Sequence, residues 1–118
     1  MPEKECLVWP DGSKYSGDLQ DGLPHGQGTM EFANGSRYTG EWKNGKMHGQ
    51  GTFKFANGCS YTGQFVNGRQ DGMGTMLWPD GTKHVGEFKE GKKHGQGTTT
   101  YADGSTQTGM WLGGQFWG

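Results

Sequence analysis

The chain has 118 residues, a formal net charge of -1, 25 glycines and 13% aromatic residues. Isoleucine is absent and Leu, Val and Phe together number 14, which excludes a thick two-layer aliphatic core. The aromatic content and near-zero charge exclude a disordered chain, and no apolar run approaches the roughly 18 residues of a membrane span.

No signal peptide is expected, because no apolar segment follows Met1-Pro2-Glu3-Lys4-Glu5. The balanced charge gives no basis for binding nucleic acid. Leu7 and Trp9 belong to a short alternating apolar run that closes at Gly12. Tyr15 then opens a unit that returns every 23 residues, at Tyr38, Tyr61, His84 and Gln107. Glycine keeps the same period, and all glycines except Gly113 fall in five registers of it. Such a period is the mark of a repeat architecture. It excludes collagen, whose glycine recurs every third residue. The chain divides into four whole repeats, 15–37, 38–60, 61–83 and 84–106, with half repeats at 1–14 and 107–118, read as a single domain.

Each unit contains two alternating runs. In the first, Tyr38, Gly40 and Trp42 share one face, and Thr39, Glu41 and Lys43 share the other. Leu19, Phe65, Phe88 and Trp111 stand where Trp42 does. In the second run Gly49, Gly51, Phe53 and Phe55 share a face. Period two with aromatic enrichment predicts strands, and nothing has the period of a helix. Asn34-Gly35, Asn57-Gly58, Asp80-Gly81 and Asp103-Gly104 are predicted tight turns. The other connection, such as Asn44 to His48, is expected to be a loop of about four or five residues. The expected fold is all-β, an elongated single-layer antiparallel β-meander solenoid of β-hairpin repeats. About ten strands would make it roughly 45 Å long. Alternation permits a register in which Trp42 covers Gly51 and Phe53 covers Gly40, so that rings lie on bare backbone and the sheet curves.

The residues Tyr38-x-Gly40-x-Trp42-x-x-Gly45-x-x-His48-Gly49-x-Gly51 resemble the MORN (membrane occupation and recognition nexus) repeat, YxGxWxxGxxHGxG. The resemblance covers residues 4–118, with His84 and Gln107 in place of Tyr, and Asp71 and Trp117 in place of His. It implies an elongated, grooved hairpin solenoid that acts as a scaffold for helical segments of partner proteins. Some members are proposed to bind phosphoinositides or to dock proteins near membranes.

The chemistry-bearing residues do not converge. His25, His48 and His94 recur about 9–10 Å apart along the stack, a row and not a tetrahedral metal site. Each is expected to hydrogen-bond a turn. Cys6 and Cys59 fall about 20 Å apart, beyond the reach of a disulfide, so free thiols and a cytoplasmic compartment are expected. The G-x-G pairs open strands and lack a following Lys-Ser/Thr, so they are not phosphate loops. No catalytic residue and no cofactor is expected.

Three interaction surfaces are expected. Tyr15, Tyr38, Trp42, Tyr61, Phe65 and Phe88 are predicted to line a curved aromatic groove for a protein partner. Lys46, Arg69, Lys92 and Lys93 are predicted to form a basic ridge for an anionic membrane surface. Each cation contributes about 1 kcal/mol there, so four give about 4 kcal/mol, millimolar binding. Trp111, Phe116 and Trp117 are predicted to form a homodimer edge. The leading reading is a non-catalytic interaction module; the alternative is a peripheral membrane module using the ridge.

Overall fold

A computed structural model describes residues 3–118, with side chains from Leu7 onward. Eleven antiparallel strands form one open sheet in sequence order. They are β1 (Glu3–Val8), β2 (Lys14–Gln20), β3 (Leu23–Glu31), β4 (Arg37–Lys43), β5 (Lys46–Lys54), β6 (Ser60–Val66), β7 (Arg69–Leu77), β8 (Lys83–Lys89), β9 (Lys92–Thr100), β10 (Thr106–Leu112) and β11 (Gln115–Phe116). The sheet measures 47 × 23 × 19 Å, and the described residues include no helix.

The two kinds of connection are the reverse of those expected. Asp21-Gly22, Asn44-Gly45, Asn67-Gly68 and Glu90-Gly91 are the two-residue turns, with positive φ at both positions, for example 51° at Asn44 and 84° at Gly45. That is the type I′ geometry that matches strand twist. Asn34-Gly35 and its equivalents sit instead in longer connections. There the Gly35 N–H donates to the Phe32 carbonyl at 3.0 Å and the Phe32 N–H to Ser36 at 2.8 Å. The Asn34 side chain accepts the Ser36 N–H at 2.9 Å. Both kinds contain Asn-Gly or Asp-Gly, so the dipeptide alone does not distinguish them.

The register also differs from expectation. Tyr38 pairs with Phe53 and Gly40 with Gly51, and after an irregularity Trp42 pairs with Met47. On its other side Gly40 pairs with Gly28 and Trp42 with Gly26. The glycines therefore face glycines, and the ring that covers Gly51 belongs to Tyr38. A Cβ built on Gly51 would clash with the hydroxyl end of that phenol ring. A Cβ on Gly40 would lie 2.5 Å from the Gly51 Cα. A shift of two residues keeps every side chain on the same face, which is why alternation permitted both registers.

The irregularity is a bulge in which His48, Gly49 and Gln50 face Glu41 alone. Gly49 takes φ 79° there, and the Glu41 carboxylate accepts the Gln50 N–H. Gln64 does the same for Met73 at 2.8 Å and Glu87 for Gln96 at 2.7 Å. The Tyr38 hydroxyl donates to the Glu41 carbonyl at 2.8 Å, as Tyr15 does to Asp18 at 2.6 Å and Tyr61 to Gln64 at 3.0 Å. Edge-to-face contacts then run the length of the sheet. Trp42 meets Tyr15 at 5.4 Å and Tyr38 at 5.0 Å, and Phe65 meets Tyr38 at 5.0 Å and Tyr61 at 5.2 Å.

Two outcomes follow for stability. Gly51→Ala is expected to cost about 3 kcal/mol by overpacking under Tyr38, read as a drop in the urea midpoint. Among the described residues, Glu90 is the one at positive φ that is neither Asn, Asp nor Gly. Glu90→Asn is expected to raise the midpoint by about 1 kcal/mol, because Asn tolerates the left-handed conformation.

Candidate functional site

Period-two alternation turns Tyr15, Tyr38, Trp42, Tyr61, Phe65 and Phe88 onto one face of the sheet, and all six are buried there. They pack as the core and support the surface above them. Burial raises the hydroxyl pKa values of Tyr15 and Tyr61 to about 12, so these phenols stay protonated donors. The Trp42 indole N–H donates to the Gly28 carbonyl at 3.0 Å, tying neighbouring repeats together.

The accessible groove lies over this core and encloses about 640 Å³. One wall is Phe32, Phe53, Phe55 and Met76, with Phe65 beneath. The other wall is Met47, Gln70 and the glycines of two hairpin tips, Gly68 and Gly91, with Arg69 at the rim. Phe53 stands 5.5 Å from Phe32 and 4.6 Å from Phe55, centre to centre. Of the six rings expected to line a groove, Phe65 is the one that contributes. The row Trp9, Phe32, Phe55 and Trp78 was legible as an inward apolar row, but nothing local marks it as the upper one. Met47 and Gln70 fell in an expected loop. The two-residue turns make those positions strand.

The basic ridge changes membership. Lys46, Arg69 and Lys92 are exposed at the hairpin tips. Cross-strand pairing sets Lys43 opposite Lys46 and Lys89 opposite Lys92, so Lys43 and Lys89 belong to the same edge. Lys93 does not. Strand β9 already begins at Lys92, so consecutive side chains point to opposite faces. The Lys93 ammonium lies 4.9 Å from the Trp78 ring centre and 4.5 Å from that of Trp111. Burial there lowers its pKa.

Trp111 is also buried, its indole N–H donating to the Gly97 carbonyl at 3.2 Å. Phe116 is half-buried and packs against it at 5.0 Å. Of the expected homodimer edge, Trp117 is the exposed member.

The histidines have separate environments. His25 Nδ1 accepts the Asn44 N–H at 3.3 Å, the expected bond to a turn, whereas His48 Nδ1 is buried without a partner, so the same expectation is not met there. His84 occupies the tyrosine position and is fully buried. Its Nδ1 is 2.6 Å from the Thr99 hydroxyl, and its Nε2 has no partner. Among the described residues no three His, Cys, Asp or Glu side chains form a metal-binding group. Cys59 is a free thiol; the Cys6 side chain lies outside the described ones. Ser13 and Ser36, the equivalents of Cys59, accept the N–H groups of Ala33 and Ala56. The matching residue for Cys59 is Pro79, which has no N–H to donate.

A family model described as MORN repeat matches residues 15–37, 38–60, 61–83 and 84–106. A search of curated proteins found no match. Among solved structures, the chain is similar to the TCP domain of SAS-4 (dCPAP) from Drosophila melanogaster, solved in complex with a proline-rich motif of Ana2 (dSTIL). The identity is 18% and the TM-score 0.49, over 87% of this chain and 62% of that one.

Burial, and secondarily the charge of Lys93, push the His84 pKa down from 6.5 to about 4. The unfolded chain binds this proton more tightly than the folded one. Stability from the neutral ring is therefore full above about pH 6.5 and is lost as the pH falls toward 4, by about 2–3 kcal/mol. His84→Tyr is expected to raise stability and to flatten this part of the urea midpoint against pH.

Proposed function

The chain belongs to the MORN repeat family, and from that membership we propose that it is a non-catalytic interaction module that holds a segment of a partner protein in its aromatic groove. The observation that carries this reading is the apolar groove itself, about 640 Å³ lined by Phe32, Met47, Phe53, Phe55 and Met76. Aromatic and methionine side chains that stay partly accessible on a rigid sheet are the residues that anchor interfaces. The buried rings beneath hold them in place, so little ordering cost falls on the module when a segment binds.

A second reading has its own support. Lys43, Lys46, Arg69, Lys89 and Lys92 are exposed along the hairpin-tip edge, where Asp21 and Glu90 are the turn acids. An anionic membrane would attract this edge by about 1 kcal/mol per cation, screened over about 8 Å at physiological salt. No helix among the described residues is long and apolar enough to cross a membrane.

The two readings separate by salt and by mutation. Under the groove reading, Phe55→Ser reduces affinity for a protein partner about tenfold, with folding checked by melting. Lys46→Glu with Lys92→Glu leaves that affinity within a few-fold. Under the membrane reading, co-sedimentation with phosphoinositide vesicles occurs at physiological salt, falls at high salt and is abolished by the lysine pair. Background sedimentation at both salts removes the membrane reading.

A further inference from the structure

The groove has a period of its own. Its upper wall repeats once per hairpin, at Phe32 and Phe55, and ends before Trp78, the next residue of that row, whose ring lies under the Lys93 ammonium. Eleven strands, and so ten inter-strand steps, extend over 47 Å, which places these rungs about 9.5 Å apart. A polyproline II helix rises about 3.1 Å per residue and returns to the same face every three residues, about 9.3 Å. An α-helix returns to the same face after about seven residues, or about 10.5 Å, and drifts out of step by about 1 Å per rung.

The polar groups at the groove point the same way. A proline has a carbonyl to be satisfied and no N–H, so a proline-rich segment needs donors. Arg69 at the rim carries a guanidinium, and among the described residues the ion pair is Arg37 with Glu31, so no carboxylate holds Arg69. Gln70 brings an amide into the wall. The indole N–H groups of Trp42 and Trp111 are taken by glycine carbonyls. The adjoining edge bears Lys46 and Lys92, so the complementary segment is acidic.

We propose that the groove's ligand is an acidic, proline-rich segment of a partner protein in the polyproline II conformation. It runs along the axis of the stack, with prolines three residues apart set against the Phe32 and Phe55 rings and a carboxylate on Arg69. This inference rests on the groove reading above and specifies the ligand class. The preformed helix of such a segment loses little conformational freedom on binding, which suits a shallow groove without deep pockets.

The test is selection of a random 12-residue phage library on the full chain, followed by fluorescence polarisation with the selected peptide. The expected result is enrichment of prolines three residues apart together with Asp or Glu. Alanine at those prolines should weaken binding at least tenfold, and Arg69→Glu, an exposed change that leaves folding intact, should weaken it about tenfold. Selection of proline-free peptides with apolar residues at helical spacing, lost with Phe55→Ser, would overturn the polyproline II ligand and keep the groove. Selected peptides that bind equally to Phe55→Ser and Arg69→Glu, or no enrichment at all, would overturn the groove reading and this inference with it.

Discussion

A tyrosine ring packed against a pair of facing glycines is the contact on which this structure depends. A single-layer sheet has no second layer to bury its aromatic side chains. Here Tyr38 is buried because Gly40 and Gly51 leave bare backbone for it to occupy. Its hydroxyl, carried into that space, meets the Glu41 carbonyl beside the bulge. The bulge in turn frees the Gln50 N–H, which the Glu41 carboxylate accepts. Tyrosine, two glycines and the residue at the Glu41 position are therefore one device, and its repetition at Tyr15 with Asp18 and at Tyr61 with Gln64 explains why a chain so poor in aliphatics has a core. Edge-to-face rings between the devices contribute about 0.5–1.5 kcal/mol each beyond burial and link each hairpin to its neighbours alone.

The departures from this device are chemically matched. Where His84 replaces tyrosine, the shorter ring turns to Thr99 and leaves Nε2 unsatisfied. The same repeat places Lys93, where others have Met47 or Gln70, across Trp78 and Trp111. The fourth repeat is thus the polar one, and the apolar groove runs up to it. Where Pro79 removes a backbone donor, Cys59 replaces the serine that would have accepted it. These compensations locate the least redundant contacts of the stack.

Three surfaces result from one sheet. The face above the tyrosines carries the apolar groove and the hairpin tips carry the cations. The outer face carries threonine pairs, Thr29 with Thr39 at 3.3 Å, Thr52 with Thr62 at 3.2 Å and Thr98 with Thr108 at 3.0 Å. Binding on one surface leaves the others open, which suits an interaction module. The groove and the cationic edge meet at Arg69.

The sequence by itself determined the period, the all-β class, the single antiparallel layer and its length, because glycine spacing and period-two alternation are properties of the chain taken locally. It also located the inward and outward faces and assigned His25 to a turn. Tertiary structure decided the rest. Register stayed open because a slip of two residues leaves alternation unchanged, and register determines whether Tyr38 or Trp42 lies on Gly51. With it went the choice of which aromatic row is buried and which lines the groove. The turn types stayed open because Asn44-Gly45 and Asn34-Gly35 read alike, and only the pairing of Lys43 with Lys46 shows which one closes in two residues. That closure makes Lys93 a strand residue and turns it away from Lys92. Position along the chain could not separate the two lysines; the pleat of the folded strand did.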